Sequence, residues 1–190
     1  MLLVIVYFLT LSLGFSEALA HCDAKNGPVA VDARQALAHE NFETVAIWVG
    51  EKQQKELRSA YDQALTVYQM SGKAQDLAKQ YFMETAVRLH RAAEGMPYTG
   101  LKPARQLPPD IAAAEETLKT GNLKPVRNLL SAKMQEKLQH FFEKALIARQ
   151  NKNQSLEAGR KWADAYVKYV IYVHGLYQTI QAGPAHGVGK

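Results

Sequence analysis

One periodicity governs this chain from end to end. From Gly27 to about residue 182, apolar residues recur at three- and four-residue spacing. No stretch alternates apolar with polar residues in the manner of a half-buried strand. The expected fold is therefore all-α, a helical bundle of about six helices. The punctuation predicts helices at about 28–40, 43–70, 73–95, 109–120, 124–150 and 155–182. Pro28 and Pro125 sit in first turns, where the missing N–H costs nothing. Gly50 is a predicted break in the second helix, because glycine is costly inside one. Gly95-Met96-Pro97 and Gly121 are predicted stops. A loop rich in Pro, Gly and Arg covers 96–108, and 183–190 is expected to be a flexible tail.

The helical pattern occurs twice. Shifting the chain by 81 residues without gaps matches Ala33 to Ala114, Leu37 to Leu118, Asn41 to Asn122 and Val45 to Val126. It continues through Leu57 to Leu138, Ala64 to Ala145 and Leu65 to Leu146, with Tyr61 meeting Phe142. One register running through helix, turn and helix argues for a duplicated short-long-long unit rather than chance overlap. The repeats span about 28–95 and 109–182, and two are too few for a solenoid. A single domain over 21–182 is the expectation.

Residues 1–20 read as a signal peptide. Met1 to Phe15 is almost wholly apolar, and Ala18-Leu19-Ala20 has the small-x-small form that signal peptidase accepts. The apolar run is shorter than the ~20 residues a membrane span requires, so no span is expected after processing. Lipidation of Cys22 is the competing reading, but that signal wants a small residue where His21 stands. The expected location is exported, periplasmic or extracellular, with cleavage between Ala20 and His21.

Composition removes several classes. The single cysteine excludes an intrachain disulfide framework, a zinc finger and an iron–sulfur ferredoxin. The net charge is +5, but the basic residues are scattered, which argues against nucleic acid as a partner. No nucleophile elbow, HExxH or glycine-rich phosphate loop is present.

Cleavage would expose His21 as the first residue, followed by Cys22 and Asp23. The α-amine, the imidazole, the thiolate and the Cys22 amide nitrogen then lie within two residues. Nitrogen with thiolate suits copper, nickel or zinc and is poor for calcium or magnesium. An oxidising compartment makes a spare thiol a liability, which favours a purpose for Cys22 over a frayed end.

The segment His21-Cys22-Asp23-Ala24-Lys25-Asn26-Gly27 resembles the metal hook of nickel superoxide dismutase. The resemblance implies that His21 supplies amine and imidazole and that Cys22 supplies thiolate and amide nitrogen. Gly27 matches the hook's seventh position. Asn26 stands where that family has its second cysteine, and Val29 where it has a tyrosine. With one thiolate absent, copper fits as well as nickel. Most of the chain also resembles an uncharacterised family of secreted all-helical proteins. The marks are the His-Cys-Asp start, Gly27-Pro28, the segment Glu94-Gly95-Met96-Pro97-Tyr98-Thr99-Gly100-Leu101-Lys102-Pro103, and a Tyr-rich last helix. That resemblance implies no activity.

Helical geometry at about 100° per residue adds further candidates. His90 shares a face with Met83, Ala86 and Val87, and Glu94 follows one turn on, placed to hold its ring or share a metal. Glu84, Arg88 and Arg91 fall on the opposite, solvated side. His174 shares a face with Ala163, Val167, Val170, Ile171 and Tyr177, so it too is expected to point inward. His39 and His140 lie on solvated faces, and His186 sits in the tail. The candidate metal set is thus His21, Cys22, His90, Glu94 and His174. For His90 and His174 taken singly, the alternative is a core histidine satisfied by a neighbour. Tyr98, Thr99 and Lys102 with Arg88, Arg91 and Arg105 would make a positive mouth to steer a small anion such as superoxide; the alternative is a stiff crossover between repeats. Tyr166, Tyr169, Tyr172 and Tyr177 read as core and interface residues, which leaves room for an oligomer.

Three functions follow as expectations. The first is an exported metalloenzyme with superoxide dismutase-like activity. The second is a non-enzymatic metal-binding or buffering protein. The third is a metal-free helical interaction module.

Overall fold

A computed structural model describes residues 21–184 and 187–188. The signal peptide expected at 1–20 and His186 lie outside the described residues. The described chain is all-helical. Seven helices follow one another: α1 Pro28–Ala38, α2 Glu43–Ala46, α3 Glu51–Tyr68, α4 Lys73–Ala93, α5 Pro109–Thr120, α6 Lys124–Asn151 and α7 Leu156–Ala182. Among the described residues there is no strand, only one isolated parallel bridge between Ala24 and Lys102. No described helix is long and apolar enough to cross a membrane.

The extra helix comes from Gly50. The predicted second helix divides there into α2 and α3, and Gly50 becomes the extended N-cap residue of α3. The three residues Ile47, Trp48 and Val49 form a turn, closed by Trp48 N–H donating to Val45 O and Val49 N–H to Ala46 O. α1 begins at Pro28, as its first-turn proline dictates. α5 ends at Gly121 in the left-handed region, where glycine lacks the Cβ clash. α7 is capped by Ser155, whose hydroxyl oxygen accepts from the Ala158 N–H at 3.1 Å.

The chain divides into two compact units at Leu107 and Pro108. The repeats expected at about 28–95 and 109–182 fall on either side. In unit one, α4 packs against both α1 and α3. Val29, Ala33 and Leu37 from α1 meet Val45, Leu57, Phe82 and Val87 in one core. Through it run the rings of Phe42, Tyr61 and Phe82, with centroids 5.4 and 5.6 Å apart along the row. Each fully buried side chain of this size contributes about 1.5–3 kcal/mol.

Unit two is a three-helix arrangement in which α6 packs on α5 and α7. Its contacts include Phe141 with Tyr172 at 4.8 Å and Phe142 with Tyr169 at 5.9 Å. Ala145 is its one buried residue among those described. The tyrosines of α7 expected in a core are half-buried at Tyr169 and Tyr172 and exposed at Tyr166 and Tyr177.

Candidate metal centre

The segment that begins at His21 is embedded in unit one. Asp23 and Ala24 are almost fully buried, His21 is 8% exposed and Cys22 is half-buried. Two tight turns fold it: Ala24 N–H donates to His21 O at 3.3 Å, and Gly27 N–H to Ala24 O at 2.8 Å. The fold requires Gly27. A Cβ there would overlap the His21 carbonyl oxygen and lie 3.1 Å from that of Ala24. The segment also pairs with the loop after α4. Lys25 N–H donates to Lys102 O at 2.9 Å, and Lys102 N–H to Asp23 O at 2.7 Å. Arg34 reaches back from α1 to the Lys25 carbonyl at 2.6 Å.

Asn26 has a definite task. Its Nδ2 donates to the Arg105 carbonyl at 2.8 Å, and its Oδ1 accepts the Arg105 N–H at 3.1 Å. A side-chain amide matches a peptide group donor for acceptor, which a thiol cannot do. The position that resembles the hook's second cysteine is therefore a clamp between two segments of backbone.

On α4, His90 is buried in the core, as the helical face predicts, with 2% exposure. Its Nδ1 lies 2.7 Å from the Trp48 carbonyl oxygen. A carbonyl only accepts, so Nδ1 carries the proton, and in the neutral ring the lone pair is on Nε2. The break at Gly50 explains that partner: Trp48 lies past the last residue of α2, so its carbonyl needs a donor from elsewhere. The Trp48 ring also meets the His90 ring edge-on at 5.9 Å, and its indole N–H donates to Asp32 at 2.7 Å. His90 Nε2 is buried without a hydrogen bond, and Glu94 Oε1 stands 3.5 Å away.

A line of charges joins this pair to the segment that begins at His21. Glu94 Oε2 is 2.9 Å from Arg91 Nη1, and Arg91 Nε is 3.5 Å from Asp23 Oδ1. Asp23 is the neighbour of Cys22 in sequence. Asp23, Arg91, Glu94 and His90 thus form one buried network, which holds because each charge has an opposite neighbour. Burial pushes the Asp23 carboxyl above its usual range; Arg91 and Lys102 pull it back, and Glu94 adds to the rise.

The structure corrects several expectations. Arg91 is 5% exposed and ion-paired, not on a solvated face. Its i,i+3 spacing to Glu94 was the sequence signal for that pairing. The expected positive mouth is compensated at Arg88, which pairs with Glu56 at 2.5 Å, while Lys102 Nζ donates to the Thr99 carbonyl at 2.6 Å. His174 is exposed on α7 in unit two rather than turned inward, and its face-mates Val167 and Ile171 are exposed as well. His39 and His140 are exposed, as expected. Among the described residues, no group of three or more His, Cys, Asp or Glu side chains is assembled to hold a metal. Asp23, Arg91 and Trp48 are the residues that sequence reasoning missed.

No curated protein and no solved structure matches the chain. A family model does, over residues 26–172, more than half of the sequence. That match contains Asn26, His90 and Glu94 and begins after His21 and Cys22. By this match the chain belongs to DUF6448, a family of unknown function.

Proposed function

We propose that the protein is an exported metal-binding protein that holds copper or nickel through His21 and Cys22, with His90 and Glu94 completing the site. The observation that carries this reading is His90. Its Nδ1–H is committed to a backbone carbonyl, while its buried Nε2 has no hydrogen bond and faces the Glu94 carboxylate at 3.5 Å. This is the arrangement that orients a histidine as a metal ligand: one nitrogen fixed by a backbone acceptor, the other left as donor. The Asp23–Arg91–Glu94 line supports a shared centre, since it ties the His-Cys segment to the same helix end. With no three-donor cluster preassembled among the described residues, binding draws the two pairs together. His174, exposed on α7, is left out of the set.

Bound copper or nickel would supply one-electron redox chemistry, and superoxide dismutation is the specific activity to test. A second reading, a closed metal buffer without turnover, is favoured by the near-complete burial of His90. Zinc fits the same donors in that role.

The deciding experiment is elemental analysis of protein made with its own leader and no N-terminal tag. The expected result is about one copper or nickel per chain, lost in Cys22→Ser and diminished in His90→Gln. A metal-free protein, with His21 confirmed as its first residue and metal supplied during growth, overturns the reading. Superoxide turnover that disappears when one residue is added before His21 selects the enzyme; tight binding without turnover selects the buffer.

A further inference from the structure

Helix α4 presents a second face to a cavity. Tyr81, Thr85 and Arg88 lie on the side of α4 roughly opposite His90, at about 100° per residue. There, with α3 and the loop carrying Tyr98, they line a cavity of about 460 Å³. That volume is in the range of small-molecule sites, roughly 300–1,000 Å³.

Its chemistry is selective. Arg88 and Glu56 neutralise each other at 2.5 Å, so that arginine is not available to an anion. Glu84 lines the same cavity and has only a neutral partner, the Gln80 amide at 2.5 Å. It is the one lining charge without a counter-charge. Beside it stand two tyrosines, Tyr81, 44% exposed, and Tyr98, half-buried against the core. Tyr98 feels Glu84 directly: burial raises its hydroxyl above the usual range, and the Glu84 charge raises it further. Thr85 adds a polar group. It is 8% exposed and lines the cavity. A threonine hydroxyl on the wall can accept a hydrogen bond from a ligand.

A ligand that satisfies all of these groups carries a positive charge, N–H donors and an apolar body. We propose that this cavity binds a small organic amine in its ammonium form, with Glu84 as counter-charge, Thr85 as hydrogen-bond acceptor and the Tyr81 and Tyr98 rings as walls. Aromatic faces attract cations and pack against hydrocarbon alike. An anion meets an uncompensated carboxylate here, and a neutral apolar ligand gains nothing from Glu84 or Thr85. The site does not depend on the metal reading.

Calorimetric titration of the full chain with benzylamine and with benzyl alcohol, its uncharged counterpart, tests this. Benzylamine is expected to bind about tenfold tighter than the alcohol or better, a ratio typical of one charge-assisted hydrogen bond. Glu84→Gln, on an exposed position that folding tolerates, should abolish that preference. Thr85→Val, which keeps the shape, should weaken the amine about three- to tenfold. Glu136→Gln, in unit two, should change nothing. Equal binding of amine and alcohol, no amine binding at about 10 mM, near the weak limit of specific recognition, or an unchanged preference in Glu84→Gln overturns the proposal.

Discussion

The two units are both helical and differ in what they bury. Unit one has a core of α1–α4 residues and a buried polar network; among the described residues unit two buries Ala145 alone. The 81-residue offset shows where they part. Leu57, with no exposure, has Leu138, half-buried, as its mate. Tyr61, 3% exposed, is matched by Phe142 at 44%. The mates of His90, Arg91 and Glu94 are Ile171, Tyr172 and Gly175, and that of Gly50 is Ser131, inside the unbroken α6. In unit two the corresponding carbonyl is therefore spent within a helix, and no histidine is there to meet it. A single break, at Gly50, turns an ordinary helical hairpin into one that presents a backbone acceptor to its own core. The backbone partner of His90 in unit one depends on it.

Four measurements would break or sharpen that contrast. The largest effect is expected from Arg91→Met, which leaves Asp23 and Glu94 buried without their cation. Chemical denaturation should show a loss of about 3–5 kcal/mol, while Tyr172→Met in unit two should change little; equal losses would make the network incidental.

Leu57→Ala should cost about 3 kcal/mol as a cavity in a packed core, against about 1 kcal/mol or less for Leu138→Ala. Hydrogen exchange resolved by residue would assign each loss to its unit. Comparable costs would mean that unit two is as well packed as unit one.

Asn26→Ala removes both bonds to the Arg105 backbone. A loss of about 1–2 kcal/mol is expected, with faster amide exchange confined to Arg105 and its neighbours. An unchanged Arg105 amide would remove the clamp from the account.

The smallest effect concerns pH. Burial raises the Tyr61 hydroxyl above its usual 10.0, although Arg58 opposes this. The folded state then holds its proton where the unfolded state has released it. Stability is full below pH 10 and is lost as pH rises through the raised value. Tyr61→Phe, which gives the residue found at Phe142, should flatten that alkaline decline at a neutral-pH cost under about 1 kcal/mol, because the bond to Ala36 O is long at 3.4 Å. A decline that survives the substitution assigns it to another group.

Much of the helical plan of both units was legible in the residues. The starts at Pro28 and Lys124-Pro125, the stop at Gly121 and the break at Gly50 all follow from local backbone chemistry. So does the inward face of His90 with Glu94 one turn on, because helical spacing places both without reference to any partner. The same rule misplaced His174. Its apolar face-mates are real, but an apolar face is buried only where another element lies on it. Arg91 was misplaced for a related reason. An arginine is assigned to solvent by default, and only the docking of Asp23 against α4 gives it a buried counter-charge.

The sequence by itself determined the all-helical fold, the helix ends and the order of donors in His21-Cys22. Those depend on bonds and spacings within a few residues. Only the tertiary structure decided what meets what: Asn26 with Arg105 across 79 residues, His90 with the Trp48 carbonyl across 42, and the cavity beneath Glu84 and Tyr98. Such contacts are set by how finished helices and loops pack, and no periodicity along one segment encodes the position of another.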